Sequence, residues 1–215
     1  MTQKVSRLLK QYIASLPDRR RRMRERSPDL KEDRSRFKVG PPEAPVQSIP
    51  TFDSKVVRPL SPQLREWHAI VGTLVESSWK YLSPTDIKVA VKSSAIKKIV
   101  RTHREYWDDS APMQFQNSQL SLFALIGHPD DGDLIYLVWR EAETAEPELW
   151  EYFGQSETRY QDLEDYLAAQ HLEIDVEVDG RPRARRLRAN ELGQHQARPR
   201  SLIDSSSSSP PRPRI

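Results

Sequence analysis

The sequence of 215 residues contains no cysteine, which excludes a disulfide scaffold, thiolate-bound zinc and thiol catalysis. Glycine is scarce, at seven residues, and no Gly-rich phosphate loop, G-x-S-x-G elbow or H-E-x-x-H helix occurs. No apolar run approaches the ~20 residues that a membrane-spanning helix needs. Hydrophobic residues make up only 36% of the chain, so any core is modest in size. Together these absences predict a soluble, cytoplasmic protein without a resident cofactor. Charge and proline are abundant, at 30% and 17 residues respectively, and both are unevenly placed.

The formal net charge of +3 hides a strong segregation. Residues 1–50 hold 13 basic and 6 acidic side chains, a net of +7, and residues 51–104 hold 10 and 4, a net of +6. Residues 105–178 then hold 2 basic and 18 acidic side chains, a net of −16, before residues 179–215 return to +6, with 9 and 3. An acidic segment of this size repels phosphate and attracts cationic proteins. It equally serves to keep a small domain in solution.

Composition divides the chain into three parts. Residues 1–60 read as a basic, Pro-rich extension. Within it Val5, Leu8, Leu9, Tyr12, Ile13 and Leu16 share one helical face, which Pro17 is expected to end. The run Arg19-Arg20-Arg21-Arg22 follows and is expected to be exposed by its own repulsion. Residues 61–190 read as an α+β domain, a small antiparallel sheet covered by helices. Residues 191–215, with Ser205–Ser209 and Pro210-Pro211-Arg212-Pro213-Arg214, read as a disordered tail.

Inside the domain, Ser61-Pro62 is a good helix start. Leu64, Trp67, Val71, Leu74, Val75, Trp79 and Leu82 predict one helix running to Ser83, with both Trp as core anchors. Residues 86–91 fit a short strand or a helix begun at Pro84. Ile96, Ile99, Val100, His103, Tyr106 and Trp107 predict a further helix from Ser94. Strands are expected at 119–126, at Leu134–Trp139 (the most hydrophobic run in the chain) and at Leu149–Phe153. Gly154–Arg159 reads as a loop, Tyr160–Leu167 as a helix over the sheet. Ile174, Val176 and Val178 alternate ahead of Asp179-Gly180, a hairpin signal.

Candidate chemistry is thin. The five histidines lack metal-ligand spacing. Asp130, Asp131 and Asp133, beside His128, place oxygen ligands on a tight turn, yet turn chemistry explains them, and no metal site is expected. Glu146, Glu148 and Glu151 are close enough in sequence to imagine acid–base work, but nothing near them supplies a raised pKa. No catalytic residue is therefore assigned.

Three stretches carry a family resemblance. They are Leu134-Ile135-Tyr136-Leu137-Val138-Trp139 after Gly132-Asp133, then Pro147-Glu148-Leu149-Trp150-Glu151-Tyr152, and the closing Tyr160-Gln161-Asp162-Leu163-Glu164-Asp165-Tyr166-Leu167. Across residues 120–172 this pattern resembles the SMI1/KNR4 (SUKH) superfamily. The resemblance implies a non-catalytic α+β domain that binds other proteins, either as an immunity protein neutralising a toxin or as a regulatory hub. Combined with the acidic segment, it points to a basic protein partner contacted by Asp130, Asp131, Asp133, Glu146, Glu148 and Glu151, with Trp139 and Trp150 in the core. The alternative is a nucleic-acid-associated accessory protein, making weak phosphate contacts through its basic tails at Arg19, Arg20, Arg21 and Arg22.

Overall fold

The computed structural model describes residues 4–26, 37–76, 79–106, 114–126, 132–142, 144–153 and 156–179. They lie in a unit spanning Met1–Arg185, and the second unit, Arg186–Ile215, is outside the described residues, together with the expected tail. The fold is α+β, and its sheet is larger than the small one expected. Seven antiparallel strands run in the order β1 (Phe37–Val39), β4 (Leu74–Glu76), β5 (Trp79–Tyr81), β6 (Leu120–Ile126), β7 (Leu134–Val138), β8 (Glu148–Phe153) and β9 (Ser156–Tyr160). A separate hairpin joins β2 (Ser48–Pro50) to β3 (Val57–Pro59).

The apolar run at 134–138 is wholly buried between β6 and β8, as a strand covered on both faces requires. A bulge between Leu122 and Ala124 shifts the register of β6. It puts Phe123 beside Trp67, Tyr81 and Tyr166, at ring distances of 4.9, 5.6 and 6.0 Å. An inserted residue re-aims a side chain in this way.

Helices α1 (Lys4–Arg26), α2 (Pro62–His68) and α5 (Leu163–Asp179) pack together on one side of the sheet. The predicted apolar stripe of α1 is real: Val5, Leu9, Tyr12 and Leu16 are buried. Residues 1–60 are therefore not simply an extension, because α1 enters the core and β1 forms a sheet edge. Pro17 does not stop the helix, which runs on to Arg26. An interior proline costs about 3 kcal/mol, and buried Leu16 before it and the Arg19–Glu76 ion pair after it (2.6 Å) hold the helix on both sides.

The single helix expected over 62–83 is instead α2 followed by the β4–β5 hairpin. Ser61 caps α2 through its side chain, accepting from Leu64 N at 3.2 Å. Gly72 then lies so close to the loop at Pro41 that a Cβ would meet the Pro41 carbonyl oxygen at 2.2 Å. Beyond it, Thr73, Val75, Trp79 and Tyr81 favour a pleated surface. Residues 84–90 resolve as α3 (Pro84–Ala90), capped by Ser83 on Asp86 N at 3.1 Å. Helix α4 (Ser94–Tyr106) forms as predicted and sends His103 against the opposite sheet face.

Two further differences lie at the C-terminal side. Residues 156–160 form β9, where a loop to Arg159 and a helix from Tyr160 were expected, and Ile174–Val178 continue α5, not a strand. No Gly or Pro interrupts the chain between Leu163 and Asp179, so a helix already nucleated extends at little cost and overrides the alternation. The remainder of the expected hairpin, from Gly180, falls outside the described residues.

Candidate protein-binding site

Antiparallel pairing brings three hairpin connections to one end of the sheet. Glu76 faces Trp79 across the β4–β5 turn, Trp79 faces Ile126, and Phe153 faces Ser156 across the β8–β9 turn. Between them, Ile126 N donates to the Asp133 carbonyl at 3.2 Å, where β6 passes into β7. One cross-strand row therefore reads Glu76, Trp79, Ile126, Asp133, Phe153 and Ser156.

Three strand spacings separate β5 from β8, roughly 14 Å of backbone. The rings of Trp79 and Phe153 are nevertheless only 6.3 Å apart, tilted by 44°. Both side chains thus lean across the row and meet over the positions of Ile126 and Asp133. Phe153 remains 50% exposed, one of few large hydrophobic side chains so placed. Asp133 is half-buried and Ile126 buried beside them.

Behind this end runs a buried polar network under α1 and α5. Tyr12 donates to Glu76, which also binds Arg19 at 2.6 Å. Tyr81 and Tyr166 share a hydrogen bond of 2.6 Å, and Tyr160 donates to Glu151 at 3.2 Å. Burial raises the pKa of Tyr12, Tyr81 and Tyr166 well above the ordinary phenol range, and nearby Glu76 adds to this for Tyr12 and Tyr81. These hydroxyls stay protonated and rigidify the floor of the sheet end.

Of the six acidic residues singled out in the sequence, the four described, Asp133, Glu146, Glu148 and Glu151, do not form one surface. Asp130 and Asp131 lie outside the described residues, within the β6–β7 connection. Asp133 is in the aromatic row. Glu146 is half-buried and accepts from Gln63 N at 3.0 Å at the start of α2. Burial raises its pKa, outweighing the hydrogen bonds from Ser61 and Gln63 that pull the other way. Glu148 pairs with Arg140 and accepts from Trp150 Nε1 at 2.8 Å. Glu151 is buried, 9% exposed, under Tyr160.

Trp139 and Trp150 are buried as predicted. Trp150 lies beneath the guanidinium of Arg159 at 3.6 Å and that of Arg140 at 5.6 Å. The Arg19–Arg22 run is helical, and only part of it faces water: Arg19 is half-buried against Glu76, whereas Arg21, paired with Asp18 at 3.1 Å, is exposed. Among the described residues no group of His, Asp and Glu is arranged to hold a metal ion, and no helix is long and apolar enough to cross a membrane.

Sequence patterning assigned Trp79 to a helix core and Phe153 to a strand, missing their meeting. The only available signal was parity, since Phe153 continues the Leu149–Glu151 face one position past the buried part of β8. Searches of protein-family models, curated proteins and solved structures find no match to this chain.

Proposed function

We propose that the chain is a non-catalytic binding domain of SMI1/KNR4 type that holds a basic partner protein against the hairpin end of its sheet. The observation that carries this reading is the half-exposed Phe153 set on Trp79 with Asp133 in the same row. Protein interfaces concentrate their energy in aromatic anchors surrounded by polar groups. A lysine or arginine from the partner gains an aromatic face here, close to negative charge. Asp130 and Asp131, three and two residues before Asp133 in the sequence, add negative charge for steering. Such a surface would serve toxin neutralisation or regulatory scaffolding alike.

The test is capture of partners by immobilised full-length protein from its own cells, compared among Phe153→Asp, Asp133→Lys and wild type. A specific partner should be held by wild type and weakened roughly 30-fold or more by Phe153→Asp, the scale of an interface hot spot. Equal capture by all three proteins contradicts the proposal.

A further inference from the structure

A second surface points to a different class of partner. Lys88 on α3, Lys92 in the α3–α4 turn, and Lys97, Lys98 and Arg101 on α4 are all exposed. No acidic residue occurs between Asp86 and Glu105. Among the described residues, no ion pair or hydrogen bond engages any of these five side chains. Asp86, the nearest carboxylate before them, is turned away: it binds Lys80 at 3.1 Å and Thr73 at 2.7 Å. Exposed Val89 is the one large apolar side chain in this surface.

We propose that α3 and α4 form a nucleic-acid-binding surface that grips the phosphate backbone without reading sequence. Three features favour this over other anionic partners. First, the apolar stripe of α4 is spent on the protein's own core: Val100 and His103 are buried, and Ile96 and Ile99 pack against the core. Lying in a lipid interface needs that stripe free, so a membrane is disfavoured. Second, Lys97, Lys98 and Arg101 lie at i, i+1 and i+4 on the exposed side of α4, within a rise of about 6 Å, a spacing that neighbouring phosphates of one strand can meet together. A folded acidic protein offers carboxylates at scattered points. Third, four of the five cations are lysines, compact charges suited to phosphate contact but lacking the fork that reads base edges.

The five cations share no residue with the row at the hairpin end, so this inference stands or falls independently of the protein-binding proposal. It also moves nucleic-acid contact from the arginines of α1, where the sequence placed it, to the lysines of α3 and α4.

The experiment measures full-length protein binding to a fluorescein-labelled 20-base-pair DNA duplex by anisotropy, from 50 to 200 mM salt. Five phosphate contacts contribute about −4.5 to the slope of log K against log salt, at about −0.9 each. The variant Lys97→Gln/Lys98→Gln/Arg101→Gln should flatten the slope by about 2.7 and weaken binding at least tenfold at 50 mM salt. A second variant, Lys88→Gln/Lys92→Gln, should flatten it by about 1.8, which guards against a folding defect confined to α4. Unchanged affinity and slope in both variants overturns the proposal, as does absence of binding by wild type at 50 mM salt. Binding to vesicles containing 30% phosphatidylserine that depends on these residues, without such binding to duplex, also overturns it in favour of a membrane.

Discussion

The acidic segment and the basic stretch of α3 and α4 fold in opposite ways. Ten acidic residues from Glu105 to Asp165 are described, and of these only Glu105, Glu141 and Asp165 are exposed. The others are turned to structural use. Glu146 meets the start of α2, Glu148 and Glu157 hold the arginines stacked on Trp150, and Asp162 binds Gln63 Nε2 at 3.0 Å. Glu164 pairs with Lys4. The lysines of α3 and α4, by contrast, stand in water. Carboxylates accept from backbone and side-chain N–H groups on a short stem, whereas lysine keeps its ammonium hydrated at the end of a long one. Net charge summed along a sequence is therefore a poor guide to the field outside the fold.

The two buried histidines resist protonation. His68 and His103 are both 7% exposed, and burial lowers the pKa of each, to about 4 for His68. His103 is stacked on Tyr152 at 5.0 Å and shares a hydrogen bond of 2.8 Å with the Tyr136 hydroxyl.

The contrast can be broken first where the inward acids are anchored. Trp150→Ala removes the platform under Arg140 and Arg159, and chemical denaturation should show a loss of about 3–5 kcal/mol. Acid comes next. Between pH 6.5 and about 4 the unfolded chain binds a proton at His68 that the folded chain refuses, so stability falls as pH drops through that window. The loss approaches about 3 kcal/mol near pH 4, and His68→Gln should flatten this part of the profile in urea melts. Glu146→Ala, which strips an acceptor from the start of α2, should cost about 1 kcal/mol. Smallest of all, Lys97→Gln and Lys98→Gln should each stay within about 0.5 kcal/mol of wild type, as substitutions in water do.

Much of the α+β architecture was legible. The buried run at 134–138, the flanking strands, the cap at Ser61 and the amphipathic α4 all follow from period and punctuation. The short strands β4 and β5 were hidden because Leu74, Val75 and Trp79 also fit a helical period, and the close approach of Gly72 to Pro41 cannot be seen in one dimension. Strand β9 had no pattern of its own; pairing with β8 creates it. The site was read less well. Asp133 was identified from turn chemistry, but Phe153 and Trp79 become neighbours only through the register of four strands. Glu151 was taken for a surface acid although it alternates in phase with Leu149, a buried position.

Residue-level chemical labelling tests the opposition of inward acids and outward lysines most directly. Carbodiimide coupling of carboxylates and acetylation of amines, followed by mass spectrometry, compare each site in native and urea-unfolded protein. Glu146, Glu148 and Glu151 should be strongly protected in the native state, while Lys88, Lys92, Lys97 and Lys98 react at close to their unfolded rates. Equal reactivity of those three carboxylates in both states, or protection of the four lysines, would contradict the account.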